Sequence, residues 1–135
     1  MSQRELTRPL SPYLQYVNAR TLHTMGFSIL HRITGVALSV GALPLVYWLT
    51  AAALGPESYA AARDVLASFW MQALMAGWVF GFCYHLLNGI RHLVWDTGRG
   101  FDQKVSLISG YSVFVAAIVL AVLIYAWFAT RGGGL

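Results

Sequence analysis

Three long uncharged stretches dominate the pattern of hydrophobic and polar positions along this chain. Ile33–Leu54 covers 22 residues, Val65–Ile90 covers 26 and Val105–Thr130 another 26, all without Asp, Glu, Lys or Arg. A helix crosses a bilayer with about 20 apolar residues, and it satisfies its own backbone hydrogen bonds where no water can. The pattern predicts an all-α integral membrane protein with three transmembrane helices. The breaks are well marked. Gly55-Pro56-Glu57-Ser58 ends the first span, and Tyr59–Leu66 is predicted as a short interfacial helix. Asp96-Thr97-Gly98-Arg99-Gly100 reads as a loop. Pro44 predicts a kink inside the first span, which membrane helices tolerate. The expected organisation is an N-terminal segment 1–27, helix 28–54, loop 55–64, helix 65–92, loop 93–104, helix 105–130 and tail 131–135. Apart from Gly132-Gly133-Gly134 there is no repeat or low-complexity segment.

Composition agrees: of 135 residues, 58% are hydrophobic and 10% charged, against about a quarter charged in soluble domains. The net charge of +4 does not indicate a nucleic-acid binder, because the basic residues flank apolar spans and form no stripe of their own. Three spans place Arg4, Arg8, Arg20, Arg32, Arg91, Arg99 and Lys104 on the N-terminal side, and only Arg63 and Arg131 opposite. By the positive-inside rule the N-terminus and the second loop are expected in the cytoplasm. Trp48, Trp70, Trp95 and Trp127 lie near span ends, as an aromatic belt requires. Met1–Thr24 is too polar for a signal peptide. A multi-pass protein of a bacterial inner membrane is expected, in preference to a mitochondrial one. The single cysteine, Cys83, has no internal partner for a disulfide.

The second span carries the sharpest chemical feature. His85 lies six residues inside Arg91, about 9 Å deeper along a helix. An ionisable group at such depth is a functional candidate. Gly77, Gly81, His85 and Gly89 recur every fourth residue and share one face. Small residues at this spacing fit close helix–helix contact. They also fit a flat cofactor lying against the glycines with His85 on its metal, since imidazole is a haem-iron ligand. Both readings stand on the sequence. A second axial ligand is missing from the third span, which has no His, Met or Cys. His31, beside Arg32, is expected to sit shallower than His85, so the second ligand is expected from another chain. His31, Arg32, Arg91 and His92 gather at the cytoplasmic edge, either as snorkelling interface residues or as donors to haem propionates. Ser28 and Arg32 share a helix face and suit a polar ligand at the membrane surface, although Ser28 alone reads equally as a back-bonding hydroxyl. No nucleophile–base pair, phosphate loop or Cys/His metal set is present, so catalysis by this chain alone is not expected.

Three blocks carry a family resemblance: Arg8-Pro9-Leu10-Ser11-Pro12, Ser28-Ile29-Leu30-His31-Arg32-Ile33-Thr34-Gly35, and His85-Leu86-Leu87-Asn88-Gly89-Ile90-Arg91-His92-Leu93-Val94-Trp95-Asp96. Together, and in this order, they resemble the large cytochrome b-type membrane anchor of succinate dehydrogenase, respiratory complex II. The resemblance implies a subunit that is not catalytic alone. Its partners would be a flavoprotein, an iron–sulfur subunit and a smaller anchor with which it forms a helical bundle in membrane lipid. It implies haem b held by His85 jointly with the small anchor, with His31, Arg32 and His92 near the propionates. Ser28 and Arg32 would line the site where ubiquinone is reduced. Tyr13 departs from the family pattern, where a histidine is common. The competing expectations are a fumarate reductase anchor and a cofactor-free membrane scaffold. Two haems would need four deep histidines, and one deep histidine here favours a single shared haem.

Overall fold

The computed structural model describes residues 19–131, so the Arg8–Pro12 block, Tyr13 and the basic residues Arg4 and Arg8 lie outside the described region. Four helices follow one another: α1 (Ala19–Leu54), α2 (Pro56–Leu66), α3 (Phe69–Asp96) and α4 (Gln103–Thr130). No strand occurs among the described residues. Three helices are long and apolar enough to cross a membrane, over Met25–Leu54, Phe69–Asp96 and Gln103–Phe128. At about 1.5 Å per residue a 28-residue helix spans about 42 Å, the thickness of a bilayer with its headgroups.

Local chemistry sets the boundaries. Gly55, with φ +118°, turns the chain between α1 and α2, and Pro56 opens α2, where a missing N–H leaves nothing unsatisfied. The apolar run that begins at Val65 is not all one helix. Val65 and Leu66 finish α2, the Ala67 N–H closes it on the Arg63 carbonyl at 2.8 Å, and Ser68 is extended before α3 begins at Phe69. Hydropathy sees no break there because none of these residues is strongly polar. Asp102 caps α4, its carboxylate accepting from the Lys104 and Val105 amides at 2.9 and 3.2 Å. The loop before it turns at Gly98 and Gly100, both at φ +81°, a region side chains disfavour. Helix α1 runs without interruption through Pro44.

Helix α3 lies between α1 and α4 and packs on both. Its buried Cys83 and Tyr84 meet Ala117 and Ala121 of α4. Phe80 and Tyr84 set their ring edges against Phe114, with centroids 5.9 and 6.2 Å apart. Small residues permit the close approaches, with Phe27 lying on Gly110 and Trp78 on Gly41. The polarity is that of a membrane protein turned outward. Trp70, Phe69 and Leu43 are exposed by 81%, 75% and 68%, whereas Thr34, Asn88, Arg91 and Ser106 are buried. Lipid is the solvent that makes this arrangement stable.

Candidate functional site

The polar residues collect at one end of the bundle, where α1, α3 and α4 meet. His85 points into the α1–α3 seam. Its ring stacks on His31, with centroids 3.9 Å apart and planes 10° from parallel. His92 stacks on the other face of this pair, 5.1 Å from His31. The three imidazoles thus form a column that links α1 to two positions of α3 about two turns apart. His31 stands opposite Gly89 and His85 beside Gly35, so His31 lies about one turn nearer the Met25–Asp96 end than His85, as its neighbour Arg32 suggests, yet the two rings touch. Parallel stacking still keeps His31 from opposing His85 across a metal, because two axial ligands must aim ring nitrogens at one point between them.

The glycine stripe faces the same seam. Gly81 lies against Thr34, with 3.8 Å from an added Cβ to the methyl, and Gly89 faces His31 at 4.0 Å. Close helix packing accounts for these two glycines. Gly77 has no neighbour within 4 Å and takes no part.

Hydrogen bonds orient the His85 ring. Nδ1 is 3.1 Å from the His31 carbonyl oxygen, which can only accept, so Nδ1 carries a proton and donates it there. His92 is held alike, with Nδ1 donating to the Asn88 carbonyl at 2.7 Å. No group of three or more His, Cys, Asp or Glu among the described residues converges on a metal.

Arg91 is buried rather than snorkelling. It donates from Nε to Ser109 Oγ at 2.9 Å, from Nη1 to Asn88 Oδ1 at 3.2 Å, and from Nη2 to the Ser106 carbonyl and hydroxyl at 2.7 and 3.1 Å. The guanidinium also lies 4.0 Å over the Trp95 ring. It ties α3 to α4 through neutral partners. A cavity of about 230 Å³ opens beside it, lined by Met25, Ser28, Arg91, His92 and Trp95. Ser28 is half-buried there, whereas Arg32, one turn along, is exposed and outside the lining.

A family described as the succinate dehydrogenase/fumarate reductase transmembrane subunit matches residues 4–124. This chain belongs to that family. The succinate dehydrogenase cytochrome b556 subunit of Rickettsia typhi is 39% identical over 118 residues, 87% of this chain and 90% of that protein. Its counterpart in Paracoccus denitrificans is 37% identical over 116 residues, 86% and 88% of the two chains. The mitochondrial cytochrome b560 subunit of Sus scrofa is 34% identical over 120 residues, 85% of this chain and 68% of its own. The three-span architecture is therefore that of a succinate dehydrogenase/fumarate reductase membrane subunit. Within it, the geometry groups Ser28, His31, His85 and His92 and leaves Arg32 at the surface. Sequence reasoning missed Thr34, Tyr84 and the α4 serines. Thr34 is buried between His31 and His85, and Tyr84 donates to the Phe27 carbonyl at 2.9 Å. The signals for Thr34 were its place in the second family block and its position one turn after His31. Ser106 and Ser109 share a face of α4 at a three-residue spacing, but nothing local pairs them with Arg91.

Proposed function

We propose that this chain is the larger membrane anchor of a succinate:quinone oxidoreductase of a bacterial inner membrane. In this reading it shares a haem b with a smaller anchor subunit and lines part of the site where ubiquinone is reduced. The observation that carries the reading is His85, an imidazole in a polar seam whose Nδ1 is bound to the His31 carbonyl, leaving Nε2 to ligate. Metal-bound histidines are held in this way, the carbonyl fixing the ring and raising the basicity of the other nitrogen. One histidine from this chain suits a group that brings its own equatorial ligands, as haem does. Two buried polar atoms nearby, His31 Nδ1 and Asn88 Nδ2, have no partner among the described residues, and a polar ligand would satisfy them. Bound haem supplies one-electron storage. In this reading His31, Arg32 and His92 meet its propionates.

Ser28 offers its hydroxyl to a quinone carbonyl from the cavity it lines. Arg32 adds a fixed charge at the same end, where developing negative charge on the quinone oxygen needs stabilising. The N-terminal side faces the cytoplasm, where an iron–sulfur subunit docks and receives electrons from a flavoprotein that oxidises succinate. Water on that side provides the protons. The curated relatives favour succinate oxidation over fumarate reduction, since each is named for succinate dehydrogenase. Comparing quinone-linked with artificial-acceptor turnover tests the site at matched assembly. Ser28→Ala should lower that ratio by up to about 10²-fold, the loss typical of one donor to a developing oxyanion. A wild-type ratio would place the quinone elsewhere.

A further inference from the structure

Thr34 is buried in the α1–α3 seam. A threonine hydroxyl bonded to a carbonyl one turn back is ordinary in a helix, and Thr34 makes that bond, donating to the His31 carbonyl at 2.9 Å. The second helix changes its meaning. His85 Nδ1 lies 3.1 Å from the same carbonyl oxygen and 3.3 Å from Thr34 Oγ1. The hydroxyl has one proton, and the carbonyl takes it. Both oxygens therefore meet Nδ1 as acceptors, and the Nδ1–H is shared between them. With the opposite tautomer, a nitrogen lone pair would face a carbonyl lone pair at 3.1 Å. Gly35 adds a steric condition, because a Cβ there would lie 3.0 Å from His85 Cε1, closer than ordinary van der Waals contact. The imidazole approaches α1 this closely because position 35 has no side chain.

We propose that Thr34 and Gly35 are the positioning residues of His85. The Thr34 hydroxyl and the His31 carbonyl hold the Nδ1 proton, Gly35 sets the approach of the ring, and together they present Nε2 in one orientation. The inference rests on His85 being the haem ligand. Its consequence is retention of the group: partners that orient a metal-bound histidine typically change affinity by about 10–100-fold when removed.

The test uses the assembled membrane complex. Haem release to excess apomyoglobin is timed in wild type, Thr34→Val, Thr34→Ser and Gly35→Ala, with subunit stoichiometry matched and optical spectra of these and of His85→Leu recorded. Thr34→Val and Gly35→Ala should release haem about 10-fold faster or more, whereas Thr34→Ser, which keeps the hydroxyl, should release it at the wild-type rate. Wild-type rates in Thr34→Val and Gly35→Ala would overturn the positioning role, as would a Thr34→Ser rate equal to that of Thr34→Val. If His85→Leu alters the low-spin spectrum while those rates stay unchanged, only the positioning role fails. If His85→Leu leaves the spectrum intact, the ligand assignment fails and takes this inference with it.

Discussion

The two ends of the bundle are built on different physics. At the end that carries Met25 and Asp96, α1, α3 and α4 are joined by polar groups. The imidazole column, the Thr34–His85 contact and the buried Arg91 with Asn88, Ser106 and Ser109 connect all three helices. Toward the opposite end, α3 and α4 border an apolar groove of about 530 Å³ lined by Ala76, Phe80, Ile118, Ala121, Val122, Tyr125 and Ala126. Packing of small and aromatic side chains joins the helices there, with two long hydrogen bonds, from Trp78 to the Leu38 carbonyl and from Gln72 to the Leu66 carbonyl, both at 3.5 Å. Lipid tails are as apolar as those side chains, so helix contact brings no hydrophobic gain and only fit matters. At the polar end the alternative to contact is an unsatisfied group in a medium without water. The polar end therefore specifies one arrangement, and the apolar end tolerates several.

The largest effect that would break this comparison is all-or-none. With the polar end cytoplasmic, an impermeant thiol reagent on intact spheroplasts should label Ser58→Cys and spare Ser2→Cys, each in a Cys83→Ser background. The reverse pattern would invert the orientation that the charge asymmetry implies. Next in size is Arg91→Leu. It removes the Arg91 bonds of Asn88 Oδ1 and Ser106 Oγ, while Ser109 Oγ and the Ser106 carbonyl keep their bond to each other at 3.0 Å, and buried groups left unpaired cost about 1–3 kcal/mol each. Stability of the purified complex to heat should fall by about 2 kcal/mol or more, with Arg91→Lys recovering only part because it lacks the fork. A loss no larger than that of a surface variant would show the clamp to be incidental. Smaller again is Phe114→Ala on the apolar side. In a soluble core this change costs about 3–5 kcal/mol, much of it transfer from water. Here only lost packing remains, so about 1–2 kcal/mol is expected in the same assay. A soluble-sized loss would mean that water reaches the unfolded state of this end.

The spans were legible because lipid imposes one rule on every residue of a crossing helix, and a run of 22 or 26 uncharged residues satisfies it. Their contacts were less so. Val65 to Ser68 joined the second span in the sequence because the end of α2 and the turn after it are as apolar as the helix that follows. That His31 lies outside His85 was legible by counting along each helix, but the stacking of their rings was not, because it depends on register between two helices. The register is set by Gly81 and Gly89 packing on α1, with Thr34 and His31 opposite. Arg91 read as an interface cation because its partners Ser106 and Ser109 lie on another helix, 15 and 18 positions away. The family blocks marked Ser28, His31, Arg32, His85 and His92. Only the fold separates the four that gather at the seam and cavity from Arg32 at the surface.

The most direct test of the account is the reduced-minus-oxidised optical spectrum of the assembled membrane complex with His85 replaced by Leu. Wild type should show a low-spin b-type haem, and His85→Leu should abolish that signature or convert it to a high-spin or differently ligated form. A low-spin spectrum and midpoint potential unchanged from wild type would contradict the assignment of His85 and the reading of the seam built on it.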